Sequence, residues 1–158
     1  MNSLSVCIAG TGSYVPARIL TNAELSQLVD TSEEWILSRT GIRERRIAAA
    51  DETTSQMATH AARRALDNAG MSAEELELII VATITPDTPT PATACYIQQS
   101  LGASRAVAFD ISAACSGFLY AMKIAKRLIA SGAFKNAIII GAEKLSSVTN
   151  WDDRTTCV

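Results

Sequence analysis

Three short apolar runs set the tightest limit on what this chain folds into: "ELELIIVATI", "RAVAFDIS" and "NAIIIGAE". Each reads as a strand buried inside a sheet. The first is bounded by "TPDTPTP", a cluster of turn residues. Helical segments separate the runs. "ATACYIQQSLG" lies between the first two and closes at Gly102, and a helix from about Ser116 to Ser131 lies between the last two, with Gly132 past its end. Strands separated by helices imply an α/β fold, with a parallel or mixed sheet carrying helices on its faces.

The flanking segments extend this pattern. "SLSVCIAGTGSYVP" reads as a buried strand ending in a glycine-rich turn, and "TNAELSQLVD" as a short helix capped by Thr21 or Asn22. "TSEEWILSRTG" has the form of a helix with a capping box, Thr31 three residues before Glu34, and Gly41 as its stop. "GIRERRIAAADET" reads as a charged loop. "TTSQMATHAARRALDNAG" is an amphipathic helix: Met57, Ala58, Ala61, Ala65 and Ala69 on one face, His60, Arg63, Arg64 and Asp67 on the other. The final "DRTTCV" begins a β-branched, strand-like run and stops without a turn, which suggests a chain cut within its last strand.

With 158 residues, 48% hydrophobic and 19% charged, the chain can bury the core of one domain. A net charge of −2 without a basic block argues against nucleic acid or an anionic membrane as partner. No apolar run approaches the ~18 residues of a membrane helix, and the N-terminal stretch lacks the form of a signal peptide. The cysteines are Cys7, Cys95, Cys115 and Cys157, with no C-x-x-C, and His60 is the only histidine. Neither a metal site nor a disulfide framework is expected, and a cytoplasmic setting follows.

Cys115 is the residue with chemical promise. It sits between a strand and a helix whose charges, Lys123, Lys126 and Arg127, form one narrow stripe, so most of that helix is expected to be buried. A helix N-terminus presents unpaired N–H groups and partial positive charge, which favour a thiolate. The small residues of "SAACSG" would let a carbonyl approach, with the Cys115 N–H as an oxyanion donor. On position alone, a buried core cysteine is an equal explanation. Cys7, Cys95 and Cys157 are expected to be inert packing residues. The Gly10-x-Gly12 pair lacks the third glycine of a dinucleotide loop, Val15 standing in its place with Pro16 after it, and reads as a tight turn. Trp35 and Arg39, at i and i+4, share a helix face that could stack a purine; a core tryptophan is the favoured alternative from the residues alone. His60, among charged neighbours, reads as a solvated surface residue.

"TSEEWILSRTGIRERRIA", "IIVATITPDTPTPATAC" and "FDISAACSGFLYAM" together resemble β-ketoacyl-acyl-carrier-protein synthase III, the initiating condensing enzyme of type II fatty acid synthesis, from about Val6 to the last residue. The resemblance implies the N-terminal half, residues 1–158, of a thiolase-like fold: a mixed β-sheet with helices on both faces, within a layered αβαβα body that works as a homodimer. It implies that Cys115 takes an acyl group from acyl-CoA and that malonyl-acyl carrier protein then condenses with it. Coenzyme A enters as substrate, and no permanently bound cofactor is implied. Thr31, Trp35, Arg39 and Arg154 match the family's coenzyme A contacts, with adenine held between a tryptophan and an arginine. Thr90 matches a position that reaches across the dimer into the partner's acyl pocket; a threonine there leaves room for a primer larger than acetyl. The family's second half supplies a histidine and an asparagine that stabilise the enolate, and His60 does not match that histidine, so these 158 residues alone are expected not to condense. A starter-unit acyltransferase of a polyketide or quinolone pathway shares the Cys115 region. A non-catalytic thiolase-like subunit is disfavoured by Cys115, and a nucleotide-binding module by the broken glycine pattern.

Overall fold

The computed structural model describes residues 5–158. In chain order the elements are β1 (Arg18–Thr21), α1 (Asn22–Leu25), α2 (Glu33–Thr40), β2 (Glu44–Ile47), α3 (Thr54–Ala69), β3 (Leu78–Ala82), α4 (Thr93–Leu101), β4 (Val107–Ile111), α5 (Gly117–Ala130), β5 (Ile138–Gly141) and α6 (Arg154–Cys157). They fall into two compact units. One comprises the described residues up to Tyr14 together with Thr53–Glu143; the other comprises Val15–Glu52 and Lys144–Val158.

The first unit is built on a parallel sheet in the order β4-β3-β5, with Ile80 level with Phe109 and Ile139. All five residues of β3 are buried. Side chains alternate across a strand. Ile79 and Val81 accordingly pack with Ala58, Ala62, Ala94 and Ile97 of α3 and α4. Leu78 and Ile80 pack with Ala121 and Ala125 of α5. The chain thus leaves β3 over one face to reach β4, and leaves β4 over the opposite face to reach β5 on the far side. Right-handed crossovers that travel in opposite directions require helices on opposite faces. The loops after the adjacent strands β3 and β4 therefore part to opposite sides, and this parting opens a crevice at the strands' C-terminal ends.

Several expectations change in this unit. The strand expected in "SLSVCIAG" is absent: residues 5–16 hold no regular element, Cys7, Ile8 and Ala9 are exposed, and the segment's first residues, Ser3 and Leu4, lie outside the described residues. The Gly10-x-Gly12 pair is no tight turn. It lies flat against α3, where a Cβ on Gly10 would come within 2.6 Å of the Ala65 carbonyl oxygen, and one on Gly12 would meet the Ala61 carbonyl and the Ala65 nitrogen. Ala61, Ala65 and Ala69 are half-buried beneath this segment, so the buried face of α3 is centred on Ala58, Ala62 and Leu66. Helix α5 is not mostly buried. Only Gly117, Ala121 and Ala125 are, since the sheet covers a single stripe of it, and Phe118, Leu119, Tyr120 and Ile124 are exposed.

In the second unit β1 and β2 form an antiparallel ribbon, Arg18 opposite Ile47. Its core gathers Leu20, Leu25, Ile36 and Cys157, with Val29, Ile47 and Trp151 against them. The charged stretch expected to be a loop contains β2, because pairing with β1 gives its backbone groups partners. Ser32, not Thr31, caps α2: its hydroxyl oxygen accepts the Trp35 N–H at 3.1 Å. "DRTTCV" is a helical turn and not a strand, nucleated by Asp153, whose carboxylate accepts the Thr155 N–H at 2.8 Å. No helix among the described residues is long and apolar enough to cross a membrane.

Candidate active site

The chain leaves β4 through Ser112 and Ala113, makes a 3₁₀ turn over Ala114–Ser116, and enters α5 at Gly117. Cys115 is the middle residue of that turn and is exposed, so it is not the buried core cysteine that position alone allowed. The turn's hydrogen bonds are donated by Ser116 to Ala113 at 3.1 Å and by Gly117 to Ala114, which leaves the Cys115 N–H outside them. Ala114 has φ +43°, the single positive φ of a non-glycine residue among the described residues. A backbone strained in this way persists only where its surroundings over-determine it. One constraint is Gly117, where a Cβ would lie 3.0 Å from the Ala82 methyl, so the start of α5 sits hard against the end of β3.

Asp110 lies within β4, on the strand that leads into this turn. Helix α4 has no cap from its own N-cap residue, Ala92. The Asp110 carboxylate supplies one from the neighbouring strand, accepting the Thr93 N–H at 2.6 Å and the Ala94 N–H at 2.8 Å. The β3–α4 loop is held at its start as well. Glu143, just past β5, accepts the Ile84 N–H at 3.0 Å and the Thr85 hydroxyl at 2.6 Å. Between these clamps the loop carries exposed Thr90, followed by a cis bond to Pro91. The loop and the end of β4 enclose a cleft of about 510 Å³, lined by Ile84, Thr88, Pro89, Phe109, Asp110 and Ser112 among others.

In the second unit, the Arg154 guanidinium lies 4.5 Å from the centroid of the Trp35 ring. Its Nη1 donates to the Asp30 carbonyl at 3.1 Å. The adjacent Thr31 has a buried hydroxyl without a hydrogen-bond partner. Thr31, Trp35 and Arg154 therefore converge at the N-terminal end of α2. Arg39 lies exposed one turn further on, so the cation over the indole is Arg154 and not the i+4 neighbour that helical spacing suggests. His60 is exposed and stacks on Tyr14 at 4.9 Å. Cys157 is buried and Cys95 half-buried, whereas Cys7 is exposed and is no packing residue.

Residues 109–158, from the middle of β4 through Cys115 to the last residue given, match the family model for 3-oxoacyl-[acyl-carrier-protein] synthase III. The curated β-ketoacyl-[acyl-carrier-protein] synthase III of Caldanaerobacter subterraneus subsp. tengcongensis is 55% identical over 151 residues, which is 96% of this chain and 46% of that protein. The crystal structure of 3-oxoacyl-[acyl-carrier-protein] synthase III from Aquifex aeolicus superposes with a TM-score of 0.92 at 57% identity, covering 95% of this chain and 48% of that one. Over nearly its whole length the chain is similar to one half of the β-ketoacyl-acyl-carrier-protein synthase III family's members. It spans about half the length of the curated relatives it matches. Its fold is the thiolase-like fold of the synthase III structures. The priming β-ketosynthase of the R1128 polyketide pathway is also similar, with a TM-score of 0.90 at 42% identity over 93% of this chain and 44% of that one. Sequence reasoning passed over Asp110, Gly117 and Glu143. An acidic residue inside an otherwise apolar strand was the available signal for Asp110, since a carboxylate there needs a partner.

Proposed function

We propose that this chain carries the acyl-accepting nucleophile of a β-ketoacyl-acyl-carrier-protein synthase III. The Cys115 thiolate attacks the carbonyl carbon of an acyl-CoA, and the Cys115 N–H donates to the oxyanion that forms. The C–S bond to coenzyme A then breaks, and coenzyme A leaves as its thiolate. Malonyl-acyl carrier protein next loses carbon dioxide, and the resulting enolate carbon attacks the acyl-cysteine. Cys115 leaves as thiolate and a 3-ketoacyl-acyl carrier protein is released. The family resemblance assigns enolate stabilisation to a histidine and an asparagine with no counterpart in these 158 residues. Thr31, Trp35, Arg39 and Arg154 bind coenzyme A in this reading. Thr90 shapes the acyl pocket of a partner subunit and leaves room there for a primer larger than acetyl, in a cytoplasmic homodimer.

The observation that carries the proposal is an exposed cysteine on a strained turn, at the strand ends where the sheet's connections part, with its own N–H outside the turn's hydrogen bonds. Incubation with acetyl-CoA followed by peptide mass mapping is expected to find the acetyl group on Cys115 and none in Cys115→Ala. An adduct on Cys7 with Cys115 free would refute the assignment. The likeness to a polyketide priming ketosynthase supports a second reading, a starter-unit enzyme with the same loading step. A panel of acyl-CoA lengths and of carrier proteins separates the two.

A further inference from the structure

We propose that Asp110 is a positioning residue for Cys115: its carboxylate, by capping α4 from within β4, fixes the strand end from which the strained Cys115 turn departs. The inference deepens the proposed acyl-transfer function and rests on it for its kinetic consequence only. A residue with a β-carbon at φ +43° relaxes unless the chain is held on both sides of it. On the far side the hold is Gly117 against the Ala82 methyl. On the near side, backbone pairing reaches no further than Ile111, whose carbonyl accepts the Thr83 N–H at 3.2 Å, and Ser112 is exposed.

Ile111 packs against the core of Leu78, Ile80, Ala121 and Ala125, and the last side-chain hydrogen bonds before Ala114 are those of Asp110. It accepts two backbone N–H groups at short distance, from Thr93 and Ala94. A charged acceptor shared by two donors is strong and directional. It also satisfies a helix end whose own N-cap residue offers no side-chain acceptor. Asparagine has the same shape but one acceptor oxygen, so Asp110→Asn sets an NH₂ group against one of the two N–H donors. Glu143 clamps the same loop at its other end without touching β4, and so serves as the control.

The test compares Asp110→Asn, Asp110→Ala and Glu143→Gln with the parent in the full chain. Hydrogen exchange over Ser112–Gly117 is read first, because it needs no substrate. Both Asp110 variants are expected to speed exchange of the Cys115 turn at least tenfold, along with the first turn of α4, while β3 stays protected. Glu143→Gln is expected to leave the Cys115 turn within twofold of the parent. Acyl transfer from acetyl-CoA to Cys115 should then fall at least tenfold in kcat with KM unchanged. Should Asp110→Ala fail to fold, Asp110→Asn decides. Exchange confined to the first turn of α4, with the Cys115 turn at the parent's rate, overturns the proposal and reduces Asp110 to a helix cap. A parent that takes no acyl group from acetyl-CoA overturns the proposed function, while the exchange result still decides the role of Asp110.

Discussion

A residue held at φ +43° with a β-carbon costs its protein on the order of 1–3 kcal/mol, and Ala114 carries that strain one residue before Cys115, the proposed nucleophile. Gly117 shows how closely the surroundings are fitted. In Gly117→Ala the new methyl would stand 3.0 Å from the Ala82 methyl, and neither group has a rotamer to escape into. The start of α5 would have to move. Overpacking of this kind costs about 1–3 kcal/mol, and here it also displaces Cys115. Urea unfolding should report the loss of stability, and acylation of the folded fraction should slow; an unchanged acylation rate would show that the turn tolerates the shift. In the second unit the Arg154 guanidinium stacks directly on Trp35 at 4.5 Å, too close for a ring to lie between them. A purine held between the two, as the resemblance implies, requires Arg154 to swing aside first. Trp35→Ala should then weaken coenzyme A binding by roughly 1–3 kcal/mol, the range for a base on an aromatic platform, with acyl transfer at saturation little changed. Calorimetry giving equal affinity in variant and parent would remove Trp35 from the coenzyme A site.

Helix α6 is a single turn, and its cap makes it pH-sensitive. The Asp153 carboxyl titrates below its ordinary value because it accepts hydrogen bonds from the hydroxyl and the backbone N–H of Thr155. A carboxylate depressed by folding contributes stability that is present above its unfolded pKa and is lost as pH falls through its folded pKa. Arg154 follows the cap directly and reaches Trp35. In a Trp151→Phe background, Trp35 fluorescence should therefore change as pH drops below the ordinary carboxylate range, and Asp153→Asn should remove that step; a step that persists in Asp153→Asn would assign it elsewhere. The same elements show what a sequence reveals. β3, β4, β5, α4 and α5 were legible because each is a local run with its own turn signals and caps. β2 was not, since "ERRI" becomes a strand only by pairing with β1. The Gly10-x-Gly12 pair was misjudged for a related reason: its partner is the backbone of α3, which no local pattern announces. The location of Cys115, at the turn from strand to helix, was legible, while its exposure was not. Asp110 and Arg154 in contact with Trp35 were not, because their partners, two backbone N–H groups and a remote indole, are brought near only by the fold.

At the scale of the whole chain, the question is how much of the proposed two-step reaction these 158 residues can perform. The loading step needs a thiolate, an oxyanion donor and a coenzyme A site, and the proposed residues for all three lie within the chain. Condensation makes a further demand, donors aimed at the enolate that forms when malonyl-acyl carrier protein loses carbon dioxide. His60 is the chain's one histidine; it is exposed, with its ring against Tyr14 and Arg63 and Arg64 close by in sequence. His60→Ala should accordingly leave acylation of Cys115 unchanged. Removing a single oxyanion donor typically costs about 2.7–4 kcal/mol, or 10²–10³ in rate, and losing both the histidine and the asparagine that the resemblance implies should cost more. The exposed Phe118, Leu119 and Tyr120 on α5 bear on how the experiment is run, since apolar patches drive association. The 158-residue chain should therefore be assayed from a freshly gel-filtered soluble fraction. The expected outcome is a split: acetyl-Cys115 accumulates from acetyl-CoA, and addition of malonyl-acyl carrier protein yields no 3-ketoacyl product. Supplying the remaining half of a relative in trans should restore condensation if the two halves assemble. Robust 3-ketoacyl product from the 158 residues alone would show that enolate stabilisation resides within them, and the division of labour proposed here would fail.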